Sequence, residues 1–119
     1  MGDLSEHFSR QEFACHCGCG MNTIDARTLE LCEEVREFTG APVKVTSGHR
    51  CAKHNKRVGG ASNSQHLYGR AADLSVEDPK AVFDWLCKQY PGVFGFGLYP
   101  SHGFVHVDTR NGTAARWHG

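Results

Sequence analysis

Fourteen glycines and four prolines cut this 119-residue sequence into short pieces, and the longest piece with a helical period is residues 25–38. There Leu29, Leu31, Cys32, Val35 and Phe38 recur at helical spacing between charged neighbours, with Gly40 as a stop and Pro42 beyond it. Val43-Lys44-Val45-Thr46-Ser47 alternates apolar and polar residues and is rich in β-branched side chains, the pattern of a half-buried strand. Residues 71–76 read as a second strand and residues 79–90 as a second helix, with Val82, Phe83, Leu86 and Tyr90 on one face and Pro91-Gly92 as its end. Residues 94–99 and 104–109 read as two more strands, separated by the turn Pro100-Ser101-His102-Gly103. Residues 52–69, rich in Gly, Asn and Ser, are expected to form one long loop, and a loop of that length inside a domain is usually functional or disordered. Near the start, Ser9 stands three residues before Glu12 as a capping box for a short helical turn, and the Cys/Gly segment 15–20 breaks regular structure. The pattern predicts an α+β fold, a small antiparallel sheet with helices on one face, in a single domain over residues 1–119 with the Cys-rich segment at about 8–20 packed on it.

Thirteen basic side chains balance thirteen acidic ones, so the electrostatic footprint of a nucleic-acid binder is missing. No apolar run approaches the roughly 20 residues that span a bilayer. The opening MGDLSEHFSR has neither the basic start nor the apolar stretch of an export signal. The expectation is a monomer made in the cytoplasm, with no nucleic-acid or membrane partner. Eight His and six Cys point instead to metal chemistry.

A catalytic zinc site needs three protein ligands of His or carboxylate type and an open position for water. His66 would come from the 52–69 loop, and Asp73 from the strand that the loop enters after the turn at Gly69. His106 would complete the set from a neighbouring strand, where Phe104, His106 and Asp108 share a face. Taken singly, a loop His is more often a solvated side chain and an Asp after two alanines more often a strand end.

The stretch from Ser64 to Asp73 resembles the Ser-x-His-x-x-Gly-x-Ala-x-Asp motif of the zinc D-alanyl-D-alanine carboxypeptidases, and the four fixed positions after the Ser are all met. These metallopeptidases group with phage L-alanyl-D-glutamate endolysins, vancomycin-resistance dipeptidases and the hedgehog amino-terminal domain. The similarity runs from about Phe8 to the last residue, through Ser47-Gly48-His49-Arg50, Asn55, Gly59-Gly60, Gly95-Phe96-Gly97-Leu98-Tyr99-Pro100 and Phe104-Val105-His106-Val107-Asp108. The resemblance implies the hedgehog/D,D-peptidase fold, one catalytic Zn2+ on His66, Asp73 and His106, and a peptidoglycan stem peptide as substrate. It also places Arg50 where the family's arginine steadies substrate, a task that suits the two-pronged guanidinium.

One departure concerns the general base. Relatives often carry an acidic residue three positions before the last zinc histidine, and here that position is Gly103. Asp108 can serve either as base on the zinc water or as the partner that orients a ligating His, and His102 can polarise water or stabilise the oxyanion. The expected chemistry is metal-assisted hydrolysis, by a carboxypeptidase or an endopeptidase acting at the cell wall or periplasm, including delivery by a phage or prophage. The alternative is a catalytically idle zinc-containing module of the same fold that binds wall or partner. Cys15, Cys17, Cys19 and Cys51 allow a structural zinc, a disulfide or reduced thiols, and the one-residue spacing is tighter than the two to four of common structural zinc motifs. Cys32 and Cys87 sit on apolar helix faces and read as core residues.

Overall fold

Five strands form one sheet: β1 (Lys44–Ser47), β2 (Ala71–Ser75), β3 (Gly95–Tyr99), β4 (Phe104–Asp108) and β5 (Ala115–His118), in the spatial order β1-β2-β4-β3-β5. They belong to a computed structural model that describes residues 2–119, so that Met1 of the domain read from the sequence lies outside the described residues. The three pairings among β1 to β4 are antiparallel, and β5 joins the edge of β3 in parallel. The two faces divide the labour by the simple alternation of a strand. Ala72 and Leu74, Phe96 and Leu98, and Val105 and Val107 face the core, where they meet Leu31, Val35, Val82 and Leu86.

Helix α1 (Ala26–Thr39) buries Thr28, Leu31, Cys32 and Val35, one face at helical spacing, and ends on Gly40, whose left-handed φ of 64° lets its N–H reach the Arg36 carbonyl. Helix α3 (Pro79–Gln89) starts with the Asp78 side chain accepting from the Ala81 N–H, and buries Val82, Phe83 and Leu86. Helix α1 packs on β2 and β4, α3 packs on β3 and β4, and the two helices touch each other. Both therefore cover the same face and leave the other for the site. The expected antiparallel sheet with helices on one face is what the structure shows, extended by a parallel edge strand.

The N-terminal segment closes the core from the side. Phe8 and Phe13 are fully buried, and the Ser9 N–H donates to the Glu12 carboxylate at 2.7 Å across the short 3-10 helix Arg10–Phe13. Among the described residues no helix is long and apolar enough to cross a membrane.

Two sequence expectations need correction. Residues 52–69 are not one unstructured loop: helix α2 (Ala52–Arg57) and the 3-10 helix Gln65–Tyr68 lie within them. Helix α2 buries only Asn55, so it carries no apolar period to reveal it. Strand β5 is an addition to the expected set, because its four residues Ala-Arg-Trp-His include no β-branched side chain and none of them is buried at the sheet edge.

Candidate metal centre

One row of side chains crosses the open face of the sheet. The register sets Asp73 of β2 opposite His106 of β4, His106 opposite Gly97 of β3, and Gly97 beside Trp117 of β5. His66 comes to this row from outside the sheet. The Ser64 hydroxyl accepts from the His66 N–H at 3.2 Å, and Gly69, at φ 69°, turns the chain into β2. A side chain at Gly69 would also collide with Thr23, its Cβ lying 2.8 Å from the Thr23 carbonyl oxygen.

His66, Asp73 and His106 are all buried, and one donor atom from each lies within 4.8 Å of the others. The Asp73 Oδ1 is 3.3 Å from His66 Nε2 and 3.0 Å from His106 Nδ1. Those separations are close to the roughly 3.3 Å that separates two ligands, each about 2.0–2.1 Å from a tetrahedral zinc. The far nitrogens are anchored: His66 Nδ1 donates to the Gly48 carbonyl at 2.7 Å, and His106 Nε2 donates to Asp108 Oδ2 at 2.7 Å. With both far nitrogens protonated, two imidazole lone pairs and a carboxylate oxygen face one point. That arrangement calls for a cation between them.

A proton on the imidazole nitrogens that face Asp73 competes with a cation for the same place, and the surrounding carboxylates favour either positive charge. Burial pushes the Asp73 carboxyl up, but hydrogen bonds from His106 and His66 outweigh it and hold Asp73 well below the usual carboxylate range. Burial likewise disfavours a charged His106, and the flanking Asp108 and Asp73 reverse the sign and raise its pKa. Asp108 has no exposed side-chain surface. Burial raises its pKa, while Arg110 and then His106 lower it further than burial raises it. Arg110 grips Asp108 with two parallel bonds, Nε to Oδ1 at 2.8 Å and Nη2 to Oδ2 at 2.7 Å. Both Asp108 oxygens are thus engaged on the far side of His106 from Asp73.

Arg50 reaches the same centre from the loop after β1. Its guanidinium donates to Ser47 Oγ at 3.1 Å, to Asn55 Oδ1 at 3.1 Å and to Asp73 Oδ2 at 3.5 Å. A guanidinium has five N–H groups, so donors remain for a bound molecule.

A cleft of about 680 Å³ opens over the row, walled by Arg50, Gly60, Tyr99, Arg110 and Trp117. The Trp117 indole N–H donates to the Tyr99 hydroxyl at 2.8 Å, and its ring centroid is 4.9 Å from that of His106. Gly97 makes room for it, since a Cβ there would lie 2.4 Å from the indole nitrogen. The sequence reading did not assign Tyr99, Arg110 or Trp117 to the site. An aromatic residue on a strand reads as core, and only the pairing of β5 with β3 turns Trp117 toward the cleft.

His102 is not brought to the cleft. It lies exposed in the 3-10 turn Pro100–His102, its ring 6.3 Å from the Phe104 ring and outside the cleft walls. Asp73 is the one carboxylate lining the cleft among the described residues. Gly103, at φ 74°, ends that same turn, with no carboxylate to offer. Away from the cleft, Cys15, Cys17, Cys19 and Cys51 gather with their sulfurs within 4.8 Å of one another, all as free thiols. Burial pushes the Cys15 thiol up, but hydrogen bonds from Cys51 and Cys17 outweigh it and hold it at about 7. Cys32 is buried in the core, whereas Cys87 is only partly buried at its margin.

The sequence pattern that defines peptidase M15 matches residues 6–108. The chain belongs to the peptidase M15 family. The matched span takes in His66, Asp73, His106 and Asp108 as well as all four clustered cysteines, and stops before β5. A zinc D-Ala-D-Ala carboxypeptidase from Streptomyces albus G is 58% identical over 35 residues, which is 29% of this chain and 14% of that protein. The likeness to that relative is therefore high but local.

Proposed function

We propose that this M15 peptidase is a zinc-dependent hydrolase of peptide bonds in peptidoglycan stem peptides or their cross-links, with residues 1–119 forming the peptidase domain. The observation that carries the reading is the convergence of His66 Nε2, His106 Nδ1 and the Asp73 carboxylate on one point at the floor of a cleft, with both outer nitrogens anchored. The local 58% identity to a zinc D-Ala-D-Ala carboxypeptidase supports both the metal and the substrate class. A zinc ion held by these three residues would supply a water of lowered pKa and polarise the scissile carbonyl.

The chain's own residues then have distinct tasks. Asp108, locked by Arg110, keeps the proton on His106 Nε2 and the lone pair of Nδ1 toward the metal, so it is a positioning residue rather than the base. The Gly48 carbonyl does the same for His66. Arg50, tied to Ser47 and Asn55, presents spare N–H donors to a substrate carbonyl or carboxylate and opposes charge building on oxygen. Tyr99 and Trp117 give the peptide an apolar wall with a polar tip. Activity at the cell wall or periplasm, including an endolysin-like role for a phage or prophage, fits this substrate.

A second reading is favoured by one feature of the cleft: among the described residues it holds no carboxylate beyond Asp73 to serve as a general base. On that reading the fold binds zinc and wall peptide without turnover. Digestion of purified sacculi by the zinc-loaded protein, with products resolved by mass spectrometry, separates the two. Release of free D-alanine establishes a carboxypeptidase, and new internal amino termini establish an endopeptidase. Unchanged sacculi from several murein types, with zinc bound, would replace the hydrolase by the binding module.

A further inference from the structure

The cysteines Cys15, Cys17 and Cys19 follow one another at alternate positions, and Cys51 lies more than thirty residues further on. In an extended strand, alternate side chains share a face but stand about 6.5–7 Å apart, too far to share one ion. The structure removes that obstacle. Gly18 and Gly20 adopt φ of 80° and 90°, with open space where a side chain would be. The Gly18 N–H donates back to the Cys15 carbonyl at 3.3 Å, and the Cys15 N–H to the Met21 carbonyl at 2.7 Å. Residues 15–21 thus curl into a closed loop that gathers its thiols on one point.

Cys51 reaches the same point from the start of α2. Cys15 Sγ lies 3.4 Å from Cys17 Sγ and 3.8 Å from Cys51 Sγ, and Cys17 Sγ lies 3.5 Å from Cys51 Sγ. Four sulfurs each about 2.3 Å from a tetrahedral zinc are separated by about 3.8 Å. The contacts among Cys15, Cys17 and Cys51 thus approach three edges of such a tetrahedron, and the Cys19 sulfur lies within 4.8 Å of the other three. Backbone N–H groups already point at the sulfurs, from Cys51 to Cys15 Sγ and from His54 to Cys51 Sγ, each at 3.4 Å. Such bonds stabilise a thiolate, the form of cysteine that ligates a metal.

We propose that Cys15, Cys17, Cys19 and Cys51 bind a second, structural zinc ion, distinct from the centre at His66, Asp73 and His106. Binding releases the thiol protons to solvent and changes no oxidation state. The ion clips the N-terminal loop to the segment 47–51, which serves the other centre at two points. There Gly48 holds His66 through its carbonyl, and Arg50 touches Asp73. The same segment is packed from below by the N-terminus: His49 donates its N–H to the Phe13 carbonyl at 2.9 Å, and a Cβ at Gly48 would lie 2.6 Å from Phe13 Cα. A metal at the cysteines locks this contact in place.

The test uses the full chain, reduced and loaded with cobalt(II) in place of zinc. The wild type is expected to show the near-ultraviolet thiolate-to-cobalt charge-transfer band and the strong visible bands of a tetrahedral sulfur site. The His66→Ala variant keeps that band, while Cys17→Ser and Cys19→Ser each lose most of it. Zinc content is expected at about two ions per wild-type chain and about one in His66→Ala. Should the cysteine variants not fold, thiol alkylation of the wild type decides. Zinc is expected to slow the reaction of these four thiols about tenfold or more, with the protection lost on chelation. Cobalt binding without a charge-transfer band, alkylation indifferent to zinc, or cysteines paired as disulfides in the native protein would each overturn the proposal.

Discussion

Asp108 decides which nitrogen of His106 faces the cleft, because its Oδ2 accepts from the Nε2–H at 2.7 Å while Arg110 holds both of its oxygens. Asp108→Asn removes the charge behind that bond and is expected to weaken zinc retention about 10- to 100-fold in a chelator competition, with the fold intact by circular dichroism. Unchanged retention would show that Asp108 does not support the metal. Gly97 is a second decisive position, because a methyl group there meets the Trp117 indole nitrogen at 2.4 Å. Gly97→Ala should displace Trp117, alter its fluorescence and reduce turnover of murein peptides, even though Gly97 offers no functional atom of its own. At this scale His66, Asp73 and His106 are legible because a short motif and one strand carry them. Trp117 and Arg110 are not, since their place depends on a pairing between β3 and β5 that no local pattern announces. His102 misleads for the reverse reason: nearness to His106 in sequence does not carry it past the turn at Gly103.

Among the elements, α1 and the central strands are readable because they bury regular apolar faces. Leu31 is fully buried on α1, and Leu31→Ala is expected to cost about 2–5 kcal/mol in urea unfolding, through lost burial and the cavity left behind. A cost near zero would mean that α1 does not pack on β2 and β4 as described. The elements that escape the sequence are held by polar contacts. Helix α2 is capped by the Cys51 sulfur, and its one buried residue, Asn55, ties the Ala61 carbonyl at 2.8 Å and accepts from Arg50. Strand β5 is anchored by Arg116, whose guanidinium donates to the carbonyls of Tyr90 at 2.6 Å and of Phe94 and Val93, both at 2.9 Å. Hydropathy patterning is blind to such bonds, although they shape two walls of the cleft.

Across the whole molecule the N-terminal segment is a clamp on the core, and it carries a pH dependence. Burial pushes the Glu33 carboxyl up, but bonds from Ser5 and His7 outweigh it and set it below its ordinary value of 4.5. A carboxylate depressed on folding adds stability above its unfolded pKa, and that stability is lost as pH falls through the folded one. Glu33→Gln should therefore lower stability by about 1 kcal/mol at pH 7, with the difference from wild type shrinking as pH falls below the ordinary carboxylate range. Thermal melts of the two proteins across that range check it, and a difference independent of pH would contradict it.

On the proposed function the activity of the cleft depends on the metal centre, and the most direct measurement compares murein hydrolysis and bound zinc in the zinc-loaded wild type and in His66→Ala. The wild type is expected to release D-alanine or new amino termini from purified sacculi, while His66→Ala loses one zinc ion and falls in rate by about a thousandfold or more. Hydrolysis by His66→Ala at the wild-type rate, or zinc content unaffected by the substitution, would contradict the metal centre and the hydrolase with it.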